Sequence, residues 1–248
     1  MEHDTHRAPV LFIADLHLDP QRPAITQLFL AFLAGEARQA QALYILGDLF
    51  EAWIGDDAVP PDHPVIQGMR ALADSGVPVY LMHGNRDFLL GEEFAAMTGA
   101  SLLPEPTRIQ LDGEPTLIMH GDSLCVDDVE YQRFRAMVRD PDWQAEFLAK
   151  SIEERKAYAQ QARLASSEHG GQTSDAIMDV NAEAVERAMA EHGVRRLIHG
   201  HTHRPAFHDL TLAGEPARRV VLGDWFEQGS VLRARDGELH LQALPLAS

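Results

Sequence analysis

The chain has 248 residues, 45% of them apolar, a formal net charge of −17 and a single cysteine, Cys125. This is enough apolar material for one large α/β domain with a sizeable core. One cysteine excludes an internal disulfide and suits a reducing compartment, and the acidic balance weighs against extended binding to DNA or RNA. The first apolar run, Val10 to Ala14, is too short for a signal peptide, and no later stretch reaches membrane-spanning length. A soluble cytoplasmic protein is expected, with room for contact at a membrane surface.

In chain order, Pro9 to Ala14 reads as a buried strand and Ile25 to Gln39 as a helix, with Pro23 where a helix would start. Ala42 to Leu46 is a second strand, Val65 to Ala73 a second helix ended by Ser75-Gly76, and Val77 to Met82 a third strand. This β-α-β-α-β order is the signature of a parallel sheet. A short helix, Glu92 to Thr98, stops at Gly99. Arg108–Leu111 and Thr116–Met119 then flank Asp112-Gly113-Glu114-Pro115 as a hairpin. From Val129 to about Arg163 the pattern is helical and rich in charge and aromatics. Ala165 to Asp175 reads as a loop, Ala176 to Glu191 as a helix, and Val194 to Ile198 as a strand, with short antiparallel strands after it. The expectation is a two-sheet α/β sandwich carrying a helical insertion from about 125 to 175, a cap over whatever the strand ends hold. Tyr131 to Arg163 holds seven Lys/Arg against five Asp/Glu. That local excess of positive charge is either a solvated helical face or a patch that meets a phosphorylated or membrane-bound ligand.

Chemistry concentrates at the strand ends, where open α/β sheets bind their ligands. Strand one is followed by Asp15-Leu16-His17, strand two by Gly47-Asp48, and strand three by Gly84-Asn85-Arg86-Asp87. The hairpin is followed by His120-Gly121-Asp122, and the late strand by Gly200-His201-Thr202-His203. Each piece alone is weak: G-D after a strand is usually a turn, and a lone histidine is usually structural. Together they offer carboxylates, an amide oxygen and imidazoles without a thiolate, a donor set for Mn²⁺, Fe²⁺ or Zn²⁺. Seven donors suit two ions about 3.5–4 Å apart sharing a carboxylate, an arrangement that activates water and neutralises a phosphoryl group under in-line attack. His199, His201 and His203 alternate, and in an extended chain they would share one face.

D-x-H, G-D, G-N-x-D, H-G-D and G-H-x-H, in this order over residues 10 to about 205, resemble the calcineurin-like metallophosphoesterase superfamily. The resemblance implies a four-layer αββα sandwich. It implies Asp15, His17, Asp48 and His203 around one metal and Asp48, Asn85, His120 and His201 around the other, with Asp48 as the bridge. His199 is outside the motif and is expected to pack behind the ligands. Most members read G-N-H-D, with the histidine serving the leaving group. Arg86 stands in its place and, unable to act as a general acid, suits bidentate clamping of phosphate oxygens.

The segments FIADLHLD, ILGDLFEAWIGDD, HGNRDFLLG, MHGDSLCVDD, IMDVN and IHGHTHRP resemble one family more closely, the UDP-2,3-diacylglucosamine diphosphatases of lipid A biosynthesis. That resemblance implies water attack at the α-phosphorus, releasing UMP and 2,3-diacylglucosamine 1-phosphate, with two Mn²⁺ per chain or other divalent ions. Asn85, Arg86 and His120 are the implied catalytic residues. Asn85, Arg86, Asp128, Tyr131, Arg163, Ser166, Thr173 and His201 are the implied substrate contacts, and the 125–175 cap is implied to hold acyl chains. The family usually presents Asn and Lys a little past Ser166, where this chain has Gly170 and Thr173. A monomer, peripheral on the cytoplasmic face of the inner membrane and free of nucleic acid, is the matching expectation.

Overall fold

Every strand that reads as buried in the sequence lies between two other layers. The computed structural model describes the backbone of residues 7–172 and 179–246, and the side chains of these except 165–172. Among the described residues no helix is long and apolar enough to cross a membrane. Strands β1 (Val10–Ile13), β2 (Ala42–Leu46), β3 (Val79–Met82) and β4 (Ser101–Leu102) run parallel. The two C-terminal strands, β10 (Gly229–Arg235) and β11 (Glu238–Leu244), extend them antiparallel in the order β11-β10-β1-β2-β3-β4.

The second sheet has the order β5-β6-β7-β9-β8. Its hairpin β5 (Thr107–Leu111) and β6 (Glu114–Ile118) turns at Asp112-Gly113, both with positive φ, as a two-residue type I′ connection requires. Strands β7 (Arg196–His199) and β9 (Glu215–Val221) run parallel to β6, and β8 (Ala206–Leu212) closes the edge antiparallel to β9.

Alternation along the strands sorts the side chains into layers. Leu11, Ile13, Leu43 and Ile45 face helices α1 (Pro23–Ala34), α2 (Pro64–Asp74) and α3 (Glu92–Thr98), joining Phe29, Met69 and Phe94 in one core. Phe12, Leu46 and Met82 face the other way and meet Ile118, Ile198 and Val220 of the second sheet. Leu117 and Leu197 pack outward on Val185 and Met189 of a late helix, Ala182–Glu191. The result is the expected αββα sandwich. It aligns the carboxyl ends of β1–β3 and of β6, β7 and β9 along one edge.

Between the sheets' contributions to that edge lie three helices, α4 (Val129–Val138), α5 (Pro141–Leu148) and α6 (Ile152–Gln172); the late helix is α7. Several expected boundaries move. The first helix stops at Ala34 instead of Gln39, because Gly35 breaks the α-helical path and a 3₁₀ turn, Glu36–Gln39, follows. The loop expected from Ala165 starts later, since α6 continues to Gln172. Helix α7 begins at Ala182 rather than Ala176, where the Asn181 side chain accepts the Ala184 N–H at 3.0 Å as an N-cap. Strand β4 was not foreseen.

Charged ties fasten the three helices to the sandwich. Buried Arg155 of α6 donates to the Ile54 carbonyl (2.6 Å) and to both Asp57 oxygens (2.8 and 2.5 Å). The partners differ in exposure: the Asp57 side chain is 58% exposed and that of Arg155 only 2%. Losing Asp57 strands a buried guanidinium, whereas losing Arg155 leaves a hydrated carboxylate. Asp57→Ala should therefore destabilise the fold by about 1.5–3 kcal/mol and Arg155→Met by less. Denaturant midpoints of the two variants check this; the reverse order would refute it.

Candidate metal centre

The edge between the sheets is built from unusual backbone. Asp15 (φ 56°), His17 (47°), Asp48 (52°), His201 (68°) and His203 (55°) are all left-handed. Among the described residues they are five of the eight non-glycine positions with positive φ, and the other three, Asp112, Ala213 and Asp236, sit in hairpin turns. Strained left-handed residues persist where the surroundings over-determine them, and they cluster at functional sites. Here each one turns a side chain back over its strand end. The alternation of His199, His201 and His203 therefore does not survive, since the chain leaves extended geometry after His199. That side chain is fully buried away from the site, with Nδ1 on the Gly200 carbonyl (2.8 Å) and Nε2 facing Arg219 (3.3 Å).

The donors form two groups. In the first, His17 Nε2 and His203 Nε2 stand 3.3 Å apart, and His203 Nε2 is 3.5 Å from Asp15 Oδ1. That oxygen is buried and has no hydrogen-bond partner, which fits a cation position. In the second, Asn85 Oδ1 meets His120 Nε2 at 2.9 Å and His201 Nδ1 at 3.0 Å. Asp48 lies between the groups, its Oδ2 3.6 Å from His17 Nε2 and 3.8 Å from His120 Nε2. His120 Nδ1 donates to the Leu46 carbonyl (2.9 Å), which leaves Nε2 for the centre.

The electrostatics fit the same use. Burial alone would lower the His120 pKa, but Asp48 and Asp15 outweigh it and hold the imidazole up at about 9. Burial raises Asp15, yet the neighbouring His203, His120 and His17 bring it down to about 2. Burial and the neighbouring His120 charge push His201 down to about 3, so its lone pair stays available. The field of these carboxylates favours positive charge at the centre, which a divalent cation supplies. Cys125 takes no part: burial and nearby carboxylates push its thiol up to about 12.

All seven expected ligands are thus brought together. The expected substrate contacts are split. Arg86, Asn85, Tyr131 and Arg163 line a cavity of about 330 Å³ that opens from the centre under α4–α6. Asp128 does not line it; its carboxylate accepts the Tyr131 N–H (3.0 Å) as the α4 N-cap. Ser166 and Gly170 fall on α6, but the Ser166 side chain and the whole of Thr173 lie outside the described residues.

Asp87 stands in the G-N-x-D motif without an assigned role, and Glu105 and Asp224 fall outside the motifs. Asp87 accepts from Gly84 N (2.8 Å) and Leu49 N (2.7 Å), joining the loops after β2 and β3. Glu105 Oε1 accepts the N–H groups of His120 (2.8 Å) and Gly121 (3.2 Å), and spacing gives no hint of it. Asp224 stands 3.5 Å from His203 Nδ1 and does carry a signal, because Leu222-Gly223-Asp224 repeats Leu46-Gly47-Asp48 at another strand end.

A family model described as calcineurin-like phosphoesterase matches residues 8–205, and the chain belongs to that family. The family and the donor set together imply a divalent metal at this centre. Relatives over nearly the full length are named UDP-2,3-diacylglucosamine hydrolase. The one from Stenotrophomonas maltophilia (strain K279a) is 52% identical over 94% of this chain and 98% of its own. That from Xanthomonas axonopodis pv. citri (strain 306) is 53% identical over 95% and 99%, and that from Chromohalobacter salexigens 56% over 87% and 88%.

Two glycines allow the close approach. A Cβ on Gly84 would fall 2.0 Å from Asp48 Oδ1 and 2.3 Å from its backbone N, and one on Gly200 would fall 2.4 Å from Asp15 Oδ2. Gly84→Ala should displace Asp48 and weaken Mn²⁺ binding by at least about tenfold. Isothermal titration of the metal-stripped protein checks this, and wild-type affinity would refute it.

Proposed function

We propose that the chain hydrolyses the diphosphate of UDP-2,3-diacylglucosamine, a step of lipid A biosynthesis, with attack at the α-phosphorus giving UMP and 2,3-diacylglucosamine 1-phosphate. The observation that carries the reading is the two-ended cavity. One end is polar, with Glu51, Asn85, Arg86 and Arg163, and abuts the metal centre. The remainder is walled by Trp53, Phe88, Phe134, Trp143, Phe147 and Tyr158. A ligand with a phosphate beside long apolar chains matches such a space in a way that a cyclic nucleotide or a phosphoprotein does not. Helices α4–α6 form the cap that encloses it. The names of the full-length relatives point to the same substrate.

Two Mn²⁺ held by Asp15, His17, Asp48 and His203 and by Asp48, Asn85, His120 and His201 would supply a nucleophilic water at neutral pH and screen charge on the phosphoryl group. The chain's residues do the rest. Arg86 offers a planar pair of donors to the diphosphate oxygens, and the leaving phosphate monoester needs little protonation, so an arginine here serves as well as an acid. Arg163 lies across the cavity on α6, beside Glu51 (3.1 Å). Tyr131 donates to Asp122 (2.6 Å) and stacks on His201, closing the site against water from the α4 side. An acyl chain entering from the inner membrane's cytoplasmic face would bring the substrate to a peripheral protein.

The test is UMP release from UDP-2,3-diacylglucosamine by the purified protein with Mn²⁺, beside bis-p-nitrophenyl phosphate. Chelator-sensitive UMP release is expected. Asp48→Ala and His120→Ala should abolish it, and Arg86→Lys should lower it about 10²-fold. Phe134→Ala and Trp143→Ala should raise KM for the lipid while leaving the generic diester unchanged. Turnover of the diester without UMP release would keep the metal centre and discard the lipid.

A further inference from the structure

Two carboxylates stand directly behind two of the histidines. Glu51 Oε2 is 3.1 Å from His17 Nδ1, and Asp224 Oδ2 is 3.5 Å from His203 Nδ1. In both rings the opposite nitrogen, Nε2, faces the spot where the partnerless Asp15 Oδ1 lies. Neither contact is a directed hydrogen bond, and among the described residues His17 Nδ1 has no such partner; each carboxylate acts by its charge, which favours a proton on Nδ1 and leaves Nε2 as the donor to a cation.

Neither carboxylate is there by the accident of a loose loop. The Glu51 backbone N–H donates to the Leu18 carbonyl (3.2 Å), next to His17, and its side chain is only 13% exposed. Asp224 sits between two pinned neighbours. Gly223 N donates to Ser230 Oγ (3.2 Å), and the wholly buried Trp225 donates its backbone N–H to the Asp15 carbonyl (3.0 Å) and its indole N–H to Ser230 O (3.0 Å). The turn after β9 is thereby tied to the turn after β1. The second donor group is backed differently: His120 Nδ1 has a neutral carbonyl behind it, and the His201 Nδ1 faces Asn85. Among the described residues the carboxylate backing is confined to the Asp15–His17–His203 group.

We propose that Glu51 and Asp224 are positioning residues of the metal centre. They lock His17 and His203 onto one cation and make the Asp15 position the tighter of the two. The inference rests on the two-metal reading above. Glu51 has a further role, since its Oε1 holds Arg163 (3.1 Å), so one carboxylate reaches both a ligand and the cap.

The test is calorimetric titration of Mn²⁺ into the metal-stripped full chain. Wild type should bind two ions in separable steps. Glu51→Gln and Asp224→Asn, each nearly isosteric, should weaken the tight step about 10–100-fold and leave the weak step in place. At saturating Mn²⁺, Asp224→Asn should recover wild-type KM, whereas Glu51→Gln should keep a raised KM through Arg163. Asp224, with its side chain 31% exposed, tolerates substitution without a burial penalty and keeps the test open if Glu51→Gln does not fold. Two steps of unchanged affinity in Asp224→Asn, or loss confined to the weak step, would overturn the proposal. Absence of Mn²⁺ binding by wild type would instead overturn the metal reading on which it rests.

Discussion

The structure depends on where the Asp48 carboxylate is held. It is 1% exposed, and among the described residues its positively charged neighbours are His120 and His17 rather than an arginine or lysine. One oxygen accepts the Arg86 backbone N–H at 2.8 Å, and the other stands between His17 and His120. A buried carboxylate in such surroundings is costly unless positive charge is placed beside it. Much of the nearby architecture follows. Gly84 lies against Asp48 because a side chain would occupy the same volume. Asp87 gathers the amides around it, and the left-handed turn at Asp48 aims the side chain across the gap between the sheets. Two sheets rather than one are required, because His17 rides on the end of β1 and His120 on the end of β6.

The basic stretch between Tyr131 and Arg163 divides: Arg133, Lys150, Lys156 and Arg163 are exposed, while Arg135, Arg139 and Arg155 turn inward. Arg135 reaches Asp122 (2.8 Å) and Glu105 (3.1 Å), and Arg139 donates to the Gly84 carbonyl (2.9 Å). Arg155 is committed to Asp57 and Arg163 to Glu51. Two of these ties, from Arg135 and Arg139, end on residues that position His120 or Asp48. The helices over the cavity are thus fixed to the same turns that carry the metal donors. Their orientation is coupled to the centre through charge-assisted hydrogen bonds rather than apolar packing alone.

What the sequence made legible follows from burial. Parallel strands covered on both faces are short continuous apolar runs, so their ends are easy to find, and a polar residue just past such an end is conspicuous. All seven donors were read that way. Asp224 follows the same rule, but Arg218 and Arg219 interrupt the apolar run of β9 and hide its burial in the sequence. His199 packs as expected, but the shared face that alternation suggested for the three histidines assumes an extended chain, and the turn at His201 cannot be seen in residue types. Glu105, before β5, acts through backbone amides some fifteen residues away, in the turn after β6. Contacts of that kind depend on sheet order, which the sequence implied only through the family resemblance.

The distribution of charge bears on substrate choice. A chain of net charge −17 repels polyanions on balance. Arg86 and Arg163 bring positive charge to the cavity's polar end, where low-dielectric aromatic walls strengthen their field. A diphosphate attached to a large apolar group would gain from both features at once, since burial of the chains would carry the phosphate to the basic end of the cavity. A nucleic acid meets the acidic exterior along its length and has no apolar part to place in the cavity. Selection by exclusion and selection by fit therefore act in the same direction, and the exclusion comes from the composition as a whole rather than from any residue of the site.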